Sequence, residues 1–414
     1  MNYDYLDKTD QDDLTLKKLR GVMPLFHRID FYNKKLSDFD LDSFDLKEFK
    51  KLPFTYKNEL RESHALNRTI ATQNDIAYFF TSSGTTGHPT SYVWTSEDNE
   101  VLNLVAKRTM SRIGVTPNDL SLIIAPFGMP IMWYCMMTQY SAVNAGVIPL
   151  GIAGPDYILD AINEFSPTIL TTVPNSLLSL YDYKENKYKK DLLSNIRQFH
   201  VAGDFLSNSR RVRIEERWDA ECFDLYGLSE ILGPIAGECV HKNGMHFISD
   251  YVYLEVIDPI TKKEVHEGEV GVAVYTTLWN KGAPLLRYWS DDFVSIDGSL
   301  CQCSRKSPRI YYKGRRKDSF LLHDKIIFAK DIEEEIFKFN DVGNEWQMHV
   351  SKTDKGVNVS LVIEVINDNN KDLSGRLSKR LSEILEQCVD VYCVRNGHFS
   401  RKDVKPHRIV YRYE

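Results

Sequence analysis

The sequence predicts an α/β protein: a large N-terminal body of several subdomains, with mainly parallel sheets and a β-rich subdomain, followed by a small α+β domain. Three observations predict it. In the middle of the chain, short apolar runs alternate with helical segments: LSLIIAP (120–126), VIPLGI (147–152), TILTTVP (168–174), FHVAG (199–203) and AECFDLY (220–226). Each ends near Gly or Pro, which is the rhythm of βαβ units and a largely parallel sheet. Later, DYVYLEVIDP (250–259) and EVGVAVYTTL (269–278) flank ITKKEVHEG and read as antiparallel strands. Beyond KGRRK (313–317) lie about 100 residues with their own pattern, enough for a separate core.

The elements follow in order. Leu16, Leu19 and Met23 recur at helical spacing, and Pro24 predicts the end of that first helix. FKKLPFTYKNELRES (49–63) holds an extended turn at Pro53 and a short helix after it. Ile76 to Thr81 reads as an aromatic strand, then a Gly/Ser/Thr loop, then a strand from Ser91 to Trp94. Thr95-x-x-Asp98 fits a capping box opening a helix through Arg112. The C-terminal domain reads as a helix (Asp331–Phe339), two strands (Trp346–Lys352, Val357–Val365), a helix (Leu373–Cys388) and a basic final strand.

No charged residue stands between Asp119 and Asp156, long enough for a membrane helix by length alone. Yet Pro126, Gly128, Pro130, Gly146, Pro149, Gly151, Gly154 and Pro155 punctuate the run. Each break would strand backbone groups in lipid. A strand, a buried helix (Met132 to Val143) and a second strand are expected instead, with no membrane partner.

Composition narrows the function. The chain has 414 residues, 43% hydrophobic and 27% charged, so disorder as the main state is excluded. At roughly 100–200 residues per domain, two to four domains are expected. Lys plus Arg is 52 and Asp plus Glu is 58, so the net charge is 52 − 58 = −6. A nucleic-acid partner would call for a basic excess. Seven cysteines make no disulfide framework, and MNYDYLDKTDQDDLTLKK has no apolar signal region. The expected location is the cytoplasm.

The strongest local signal is TSSGTTGHPT (81–90). Its glycines allow close backbone approach, and its hydroxyls and N–H groups suit phosphate oxygens. It is not a Walker A loop, because no Lys follows and a strand comes next. A Ser/Thr-rich hairpin turn is the bland alternative.

Further motifs follow: DLYGLSE (224–230), PLLRYWSDD (284–292), GRRKD (314–318) and Lys405. Together with the loop they resemble, in order, the signatures of the adenylate-forming superfamily, which includes acyl-CoA synthetases, luciferases and peptide-synthetase adenylation domains. LPFTYKNELRES (52–63), the YGLSE form and EGEVGVAVYTTL (267–278) are most similar to the phenylacetate–CoA ligase branch. The resemblance covers roughly residues 15–414 and implies two domains, 1–314 and a mobile cap at 315–414 that rotates between two reaction steps, with Lys317 at the hinge.

The resemblance assigns roles residue by residue. Ser82, Ser83, Gly84, Thr85, Thr86 and Gly87 hold the ATP phosphates. Tyr226 stacks on adenine, Asp224 accepts from the exocyclic amine, and Gly227, Leu228 and Ser229 complete that segment. Glu230 binds Mg²⁺, a hard cation suited to carboxylate oxygen. Asp292 accepts from the ribose hydroxyls and Arg315 reaches ribose or phosphate. Lys405 bridges the acid and the α-phosphate; by itself it would read as a surface lysine of a basic tail. The acyl pocket falls at Phe127, Trp133, Ala202, Gly203, Asp204 and Pro234, each of which could equally be core.

The activity implied is an ATP-dependent acid–thiol ligase. It activates a small aromatic or acyl carboxylate as acyl-AMP and transfers it to CoA. The alternative acceptor is a carrier-protein pantetheine; a second alternative is a non-catalytic nucleotide-binding protein that kept the fold. A homodimer is expected from the same branch.

Cys239-x₆-His246 followed by Cys301-x-Cys303 has the composition of a tetrahedral zinc site, and the branch carries similar pairs there. His241 competes with His246 for the fourth position. The site would staple the β-rich subdomain.

Three positions depart from the family pattern. His88 replaces a lysine in the phosphate loop, so weaker or pH-dependent nucleotide binding is expected. Asp291 replaces a glycine before Asp292, and Asp324 replaces a glycine that in relatives approaches the pantetheine. A side chain at Asp324 is expected to narrow that approach.

Overall fold

A computed structural model describes residues 3–41, 44–82, 88–231, 233–353, 356–366, 372–400 and 406–413. The chain packs as two compact units. One comprises Met1–Ala153, Pro167–Thr171 and Phe223–Tyr311; the other comprises Gly154–Ser166, Thr172–Cys222 and Tyr312–Glu414.

In the first unit a 3₁₀ turn, Tyr3–Tyr5, leads into the helix Lys8–Phe26. It runs past Pro24, where the sequence predicts its end. A proline there removes only one bond of the last turn, while Met23 and Phe26 on either side are buried in a cluster with Tyr32, Leu36, Phe49 and Leu286. Strands Ile76–Thr81 and Ser91–Thr95 pair antiparallel, with Phe79 opposite Val93. The helix Ser96–Arg112 starts at the expected capping box: Asp98 N–H donates to Thr95 Oγ1 (3.2 Å), and Thr95 N–H donates to the Asp98 carboxylate (2.9 Å).

The uncharged run resolves into strand Leu120–Ile123, helix Met132–Ser141 and strand Gly146–Pro149. Leu120–Ile123 pairs parallel with Gly146–Pro149 and with Ile169–Thr172. Its interior hydroxyls are matched, as in Ser121 Oγ with Thr171 Oγ1 at 2.9 Å. Among the described residues, no helix is long and apolar enough to cross a membrane.

The β-rich part is antiparallel. Val252–Ile257, Gly271–Thr277 and Tyr288–Asp297 form one run. Arg309–Arg315, Met245–Phe247, Gly233–Gly237 and Glu221–Leu228 continue the same sheet, with Arg309–Arg315 next to Tyr288–Asp297.

The second unit holds helices Pro155–Phe165, Pro174–Asn186 and Asn208–Trp218 and strand Gln198–Ala202. It also holds a hairpin, Ser319–Leu322 with Lys325–Phe328, and the helix Ala329–Ile336. A four-stranded sheet follows in the order Val389–Arg395, Gly356–Val365, Val342–Thr353, Ile409–Tyr413. Helix Leu373–Leu385 buries Leu373, Leu377, Leu381 and Leu385, one residue per turn. The expected helix to Cys388 ends earlier, where Glu386 takes φ 53, and frees Val389–Arg395 to form a strand the sequence pattern did not separate.

The α/β class is therefore borne out: parallel strands with intervening helices, an antiparallel β-rich part, and a small α+β sheet near the C-terminus.

Candidate active site

The stem of the 81–90 loop is closed by backbone bonds. Thr81 N–H donates to Met129 O (2.8 Å), Ser82 N–H to Thr90 O (2.9 Å), and Thr90 N–H to Ser82 Oγ (3.0 Å). Ser82 is buried. Ser83, Gly84, Thr85, Thr86 and Gly87 lie outside the described residues, as does Lys405.

Tyr226 and Asp292 meet in the first unit. The Tyr226 hydroxyl donates to Asp292 Oδ2 at 2.6 Å and lies 3.0 Å from the Tyr275 hydroxyl. All three side chains are buried. Burial, and then the adjoining Asp292 carboxylate, pushes the Tyr226 phenol well above its ordinary value, so it stays a proton donor. A bulge aims Asp292 inward. Opposite Gly271–Thr277, Val274 faces Trp289 but Val272 faces Phe293, so extra residues loop out. Asp291 takes φ 61 at that point, the left-handed region that favours glycine. Asp292 N–H donates to Ser290 Oγ (3.1 Å), which itself donates to Ala273 O (2.7 Å).

Asp224 is buried on the same strand as Tyr226, and its N–H donates to Glu238 Oε2 at 2.7 Å. A Cβ on Gly227 would stand 2.4 Å from the Gly233 carbonyl oxygen, so this crossing requires glycine. Leu228 is buried, and Ser229 and Glu230 turn away from the strand end.

Glu230 has a partner that the sequence reading missed. Lys57 Nζ lies 3.0 Å from Glu230 Oε1, and the carboxylate is buried while the lysine is partly exposed. Lys57 starts the helix Lys57–Glu62, and Tyr56 N–H donates to Glu59 Oε2 (2.7 Å) at its entry. The preceding segment is docked by backbone: Thr55 N–H donates to Arg287 O and Trp289 N–H to Thr55 O, both at 2.9 Å. Arg287 is committed to structure. Its Nε and Nη2 grip Glu255 at 3.0 and 2.8 Å. Nothing in the spacing of residues 57 and 230 links them; only the docking of Thr55 against Arg287 and Trp289 does.

Of the expected pocket residues, Phe127 and Trp133 pack edge to face at 5.4 Å, and Trp133 Nε1 donates to Gly128 O at 2.7 Å. Phe127 stays half exposed. Pro234 lies on Gly233–Gly237, opposite Gly227. Ala202 ends strand Gln198–Ala202 in the second unit; Gly203 follows at φ 84, and Asp204 Oδ1 accepts from Phe205 N–H (2.9 Å). Arg315 ends the strand Arg309–Arg315, and Lys317 follows in a 3₁₀ turn.

The expected sulfur cluster is assembled. One ligand atom from each of Cys239, His246, Cys301 and Cys303 lies within 4.8 Å of the others. Cys239 Sγ and Cys301 Sγ are 3.8 Å apart, and Cys303 Sγ is 3.3 Å from His246 Nε2. His246 Nδ1 is turned to Ser307 O (3.3 Å) and Ser307 Oγ (3.1 Å), which leaves Nε2 for the cluster. Burial pushes the Cys239 thiol up to about 12 and, with Arg112 next, the His246 imidazole down to about 4. Although burial raises it, Cys303 is lowered overall by hydrogen bonding with Arg305. His241, the competing fourth ligand, is exposed and outside the cluster.

The sequence model of the AMP-binding enzyme family matches residues 26–279. The chain belongs to that family. Along almost its whole length this AMP-binding enzyme is similar to phenylacetate-coenzyme A ligases. It is 25% identical to that of Pseudomonas putida over 405 residues, 94% of this chain and 91% of the relative. It is 27% identical to that of Thermus thermophilus over 358 residues, 84% of this chain and 80% of the relative. Its fold is similar to that of 2-hydroxyisobutyryl-CoA ligase solved in the postadenylation state with 2-HIB-AMP. The TM-score there is 0.91 at 20% identity, covering 99% of this chain and 91% of that one.

Two of the departures from the family pattern now have a backbone meaning. In this AMP-binding enzyme Asp291 lies in the left-handed region that favours glycine, and its Oδ1 accepts from Trp289 Nε1 at 3.0 Å. His323 and Asp324 form the two-residue turn between Leu322 and Lys325, at φ 47 and 61. Such a turn takes positive φ at both positions, and Asp324 is exposed in it. His88 is exposed.

Proposed function

We propose that this AMP-binding enzyme is an ATP-dependent acid–thiol ligase that forms an acyl-AMP and then a CoA thioester. The observation that carries the reading is the buried Tyr226–Asp292 contact, with Glu230 just past the end of the Tyr226 strand, in a protein similar over 94% of its length to a phenylacetate-coenzyme A ligase.

In the first step a carboxylate oxygen attacks the α-phosphorus of ATP, the Pα–O–Pβ bond breaks, and pyrophosphate leaves. In the second, a thiolate attacks the acyl carbon, the C–O bond to phosphate breaks, and AMP leaves; the thiol proton goes to solvent. Asp292 orients the ribose as an acceptor of two hydroxyls, and the Tyr226 hydroxyl fixes one of its oxygens. Glu230 would hold Mg²⁺, supplying charge neutralisation at the phosphates, in exchange for Lys57. Ser82–Gly87 would cradle the phosphates, and Lys405 would meet the negative charge that builds at the reacting phosphorus. The Phe127–Trp133 pair would wall an apolar acyl pocket together with Pro234.

We assign residues 315–414 as the domain that carries Lys405 and moves between the steps, and CoA as the acceptor in preference to a carrier protein. The cysteine cluster fits zinc. At about 2.3 Å per Zn–S bond a tetrahedron has an S–S edge of about 3.8 Å, the separation of Cys239 and Cys301. All four positions are filled by protein, so the ion would be structural. Seven free thiols suit the cytoplasm.

The test is pyrophosphate release from ATP and Mg²⁺ with a panel of aromatic and short-chain carboxylic acids, with and without CoA. Release that depends on one acid, followed by a CoA thioester of that acid, is expected. No release with any acid would overturn the reading.

A further inference from the structure

The cysteine cluster and the nucleotide residues share one strand ladder of the first unit. Glu221–Leu228 pairs with Gly233–Gly237, which pairs with Met245–Phe247. Leu225 stands opposite Gly237, and Gly237 opposite His246, so the cluster residue His246 and Leu225 lie on one rung. Tyr226, Ala236 and Phe247 form the next rung. At about 4.8 Å between neighbouring strands, His246 is only about 10 Å from the strand that carries Asp224 and Tyr226.

Two routes cross this distance. The first runs through Glu238, between the strand Gly233–Gly237 and the cluster residue Cys239. Glu238 is buried; its N–H donates to Asp224 O (3.2 Å), and its Oε2 accepts from Asp224 N–H (2.7 Å). The Asp224 backbone is thus held at both its N–H and its carbonyl by the chain neighbour of Cys239. The second route starts at Phe247, the chain neighbour of His246. Its ring stacks on Tyr275 with centroids 6.3 Å apart, and the Tyr275 hydroxyl lies 3.0 Å from that of Tyr226, which donates to Asp292. Phe247 and Tyr275 are fully buried, and close-packed side chains pass a displacement on rather than absorb it. The middle strand lies flush against its neighbours: a Cβ on Gly237 would stand 2.7 Å from Thr109 Cγ2 and 3.0 Å from Leu225 Cδ2.

One ion bound by all four cluster residues fixes the end of the hairpin that carries Cys239 and His246 against residues 301–303. Without it the thiols offer only weak S–H contacts there.

We propose that the metal cluster positions the adenosine site, so that zinc and an adenine nucleotide bind cooperatively. With zinc bound, Glu238 and Phe247 hold Asp224 and Tyr226 in the arrangement that takes adenosine. The proposal rests on the nucleotide reading of Asp224, Tyr226 and Asp292 above. Glu238 is a positioning residue, acting on the nucleotide through the Asp224 backbone. The coupling is reciprocal: the factor by which zinc raises AMP affinity is the factor by which AMP raises zinc affinity. ATP and acyl-AMP both carry adenosine, so loss of zinc weakens both half-reactions alike and leaves their ratio unchanged. Pyrophosphate carries none and stands outside the coupling.

The test uses the full chain and reads binding rather than turnover. Zinc transfer from the loaded protein to a chromogenic chelator is titrated with AMP, with pyrophosphate and with neither. Calorimetry gives the Kd for AMP on zinc-loaded and zinc-depleted protein. Saturating AMP should raise zinc affinity about tenfold, depletion should raise the Kd for AMP by the same factor, and pyrophosphate should leave zinc affinity within about twofold. Zinc affinity that AMP leaves unchanged would overturn the coupling. So would pyrophosphate acting as strongly as AMP, which is general stabilisation by a bound ligand. The chelator titration needs no metal-free protein, so it decides the matter even where depletion unfolds the chain.

Glu238→Ala should keep its zinc, raise the Kd for AMP about tenfold and reduce the effect of AMP on zinc affinity to within about twofold. Glu238→Gln keeps an oxygen acceptor for Asp224 N–H and should restore both. A Glu238→Ala protein with a lower Tm but wild-type AMP affinity and coupling has lost stability alone, which overturns the role of Glu238. Zinc-loaded protein that binds no AMP would remove the nucleotide reading and the coupling with it. AMP binding without coupling leaves that reading standing and overturns the coupling alone. Protein that takes up no zinc overturns the proposal as well.

Discussion

Lys57 Nζ stands 3.0 Å from Glu230 Oε1, so the carboxylate assigned to Mg²⁺ is held by a protein cation. The two compete for one oxygen. Lys57→Met should therefore lower the Mg²⁺ concentration for half-maximal pyrophosphate release several-fold, while costing about 1 kcal/mol of stability for the partly exposed pair. Glu230→Gln should raise that concentration instead. A Mg²⁺ titration of both variants checks the signs.

Tyr226→Phe removes the hydroxyl that donates to Asp292 at 2.6 Å. The buried carboxylate loses a donor, at a cost of about 1–3 kcal/mol. The Tm should fall, and KM for ATP should rise about tenfold with kcat less affected. Asp292→Asn should weaken ATP binding further while the acid's KM stays put. Steady-state kinetics with each substrate varied in turn reads both.

Asp291 sits at φ 61. Glycine relieves the backbone there but loses the 3.0 Å bond to Trp289 Nε1, so Asp291→Gly should change the Tm little. Asp291→Val, β-branched in the left-handed region, should destabilise by about 1–2 kcal/mol and weaken ATP binding by tilting Asp292. Thermal melts of the pair give the contrast.

Asp4 carries an acid-stability prediction. Burial by itself would raise its carboxyl, but Arg112 and Arg108 win and hold it down at about 2, from 3.8. Its folded value is depressed, so the unfolded chain binds more protons between these values. The contribution is complete above pH 3.8 and is lost as pH falls toward 2. Asp4→Asn should lower stability at neutral pH, because Arg112 is fully buried at 2.7 Å from the carboxylate, and should flatten the acid slope. Urea melts at stepped pH measure it.

For the cysteine cluster, elemental analysis should return about one zinc per chain, and Cys303→Ser should lose it with a lower Tm and unchanged half-reaction ratio. Purified protein without zinc, or a Cys303→Ser variant as stable as wild type, would remove the site.

Local pattern made much of this protein legible. The capping box at Thr95 and Asp98, the aromatic strand Ile76–Thr81 and the parallel strand at Leu120 are all fixed by neighbours within a few residues, and the structure places them where the sequence puts them. The ordered motifs identified the family because each is a short contiguous string.

What the sequence could not determine depends on residues far apart in the chain. The first helix runs past Pro24 because burial of Met23 and Phe26 outweighs one missing backbone bond. Lys57 meets Glu230 only because Thr55 is stitched to Arg287 and Trp289. Arg210, unremarkable on its own helix, finds Glu333 123 residues later. Sequence by itself determined most of the elements and which chemistry the chain carries, since those are written in local spacing. Tertiary structure alone decided which charges share a buried site, because that pairing is chosen by packing and desolvation across the whole fold.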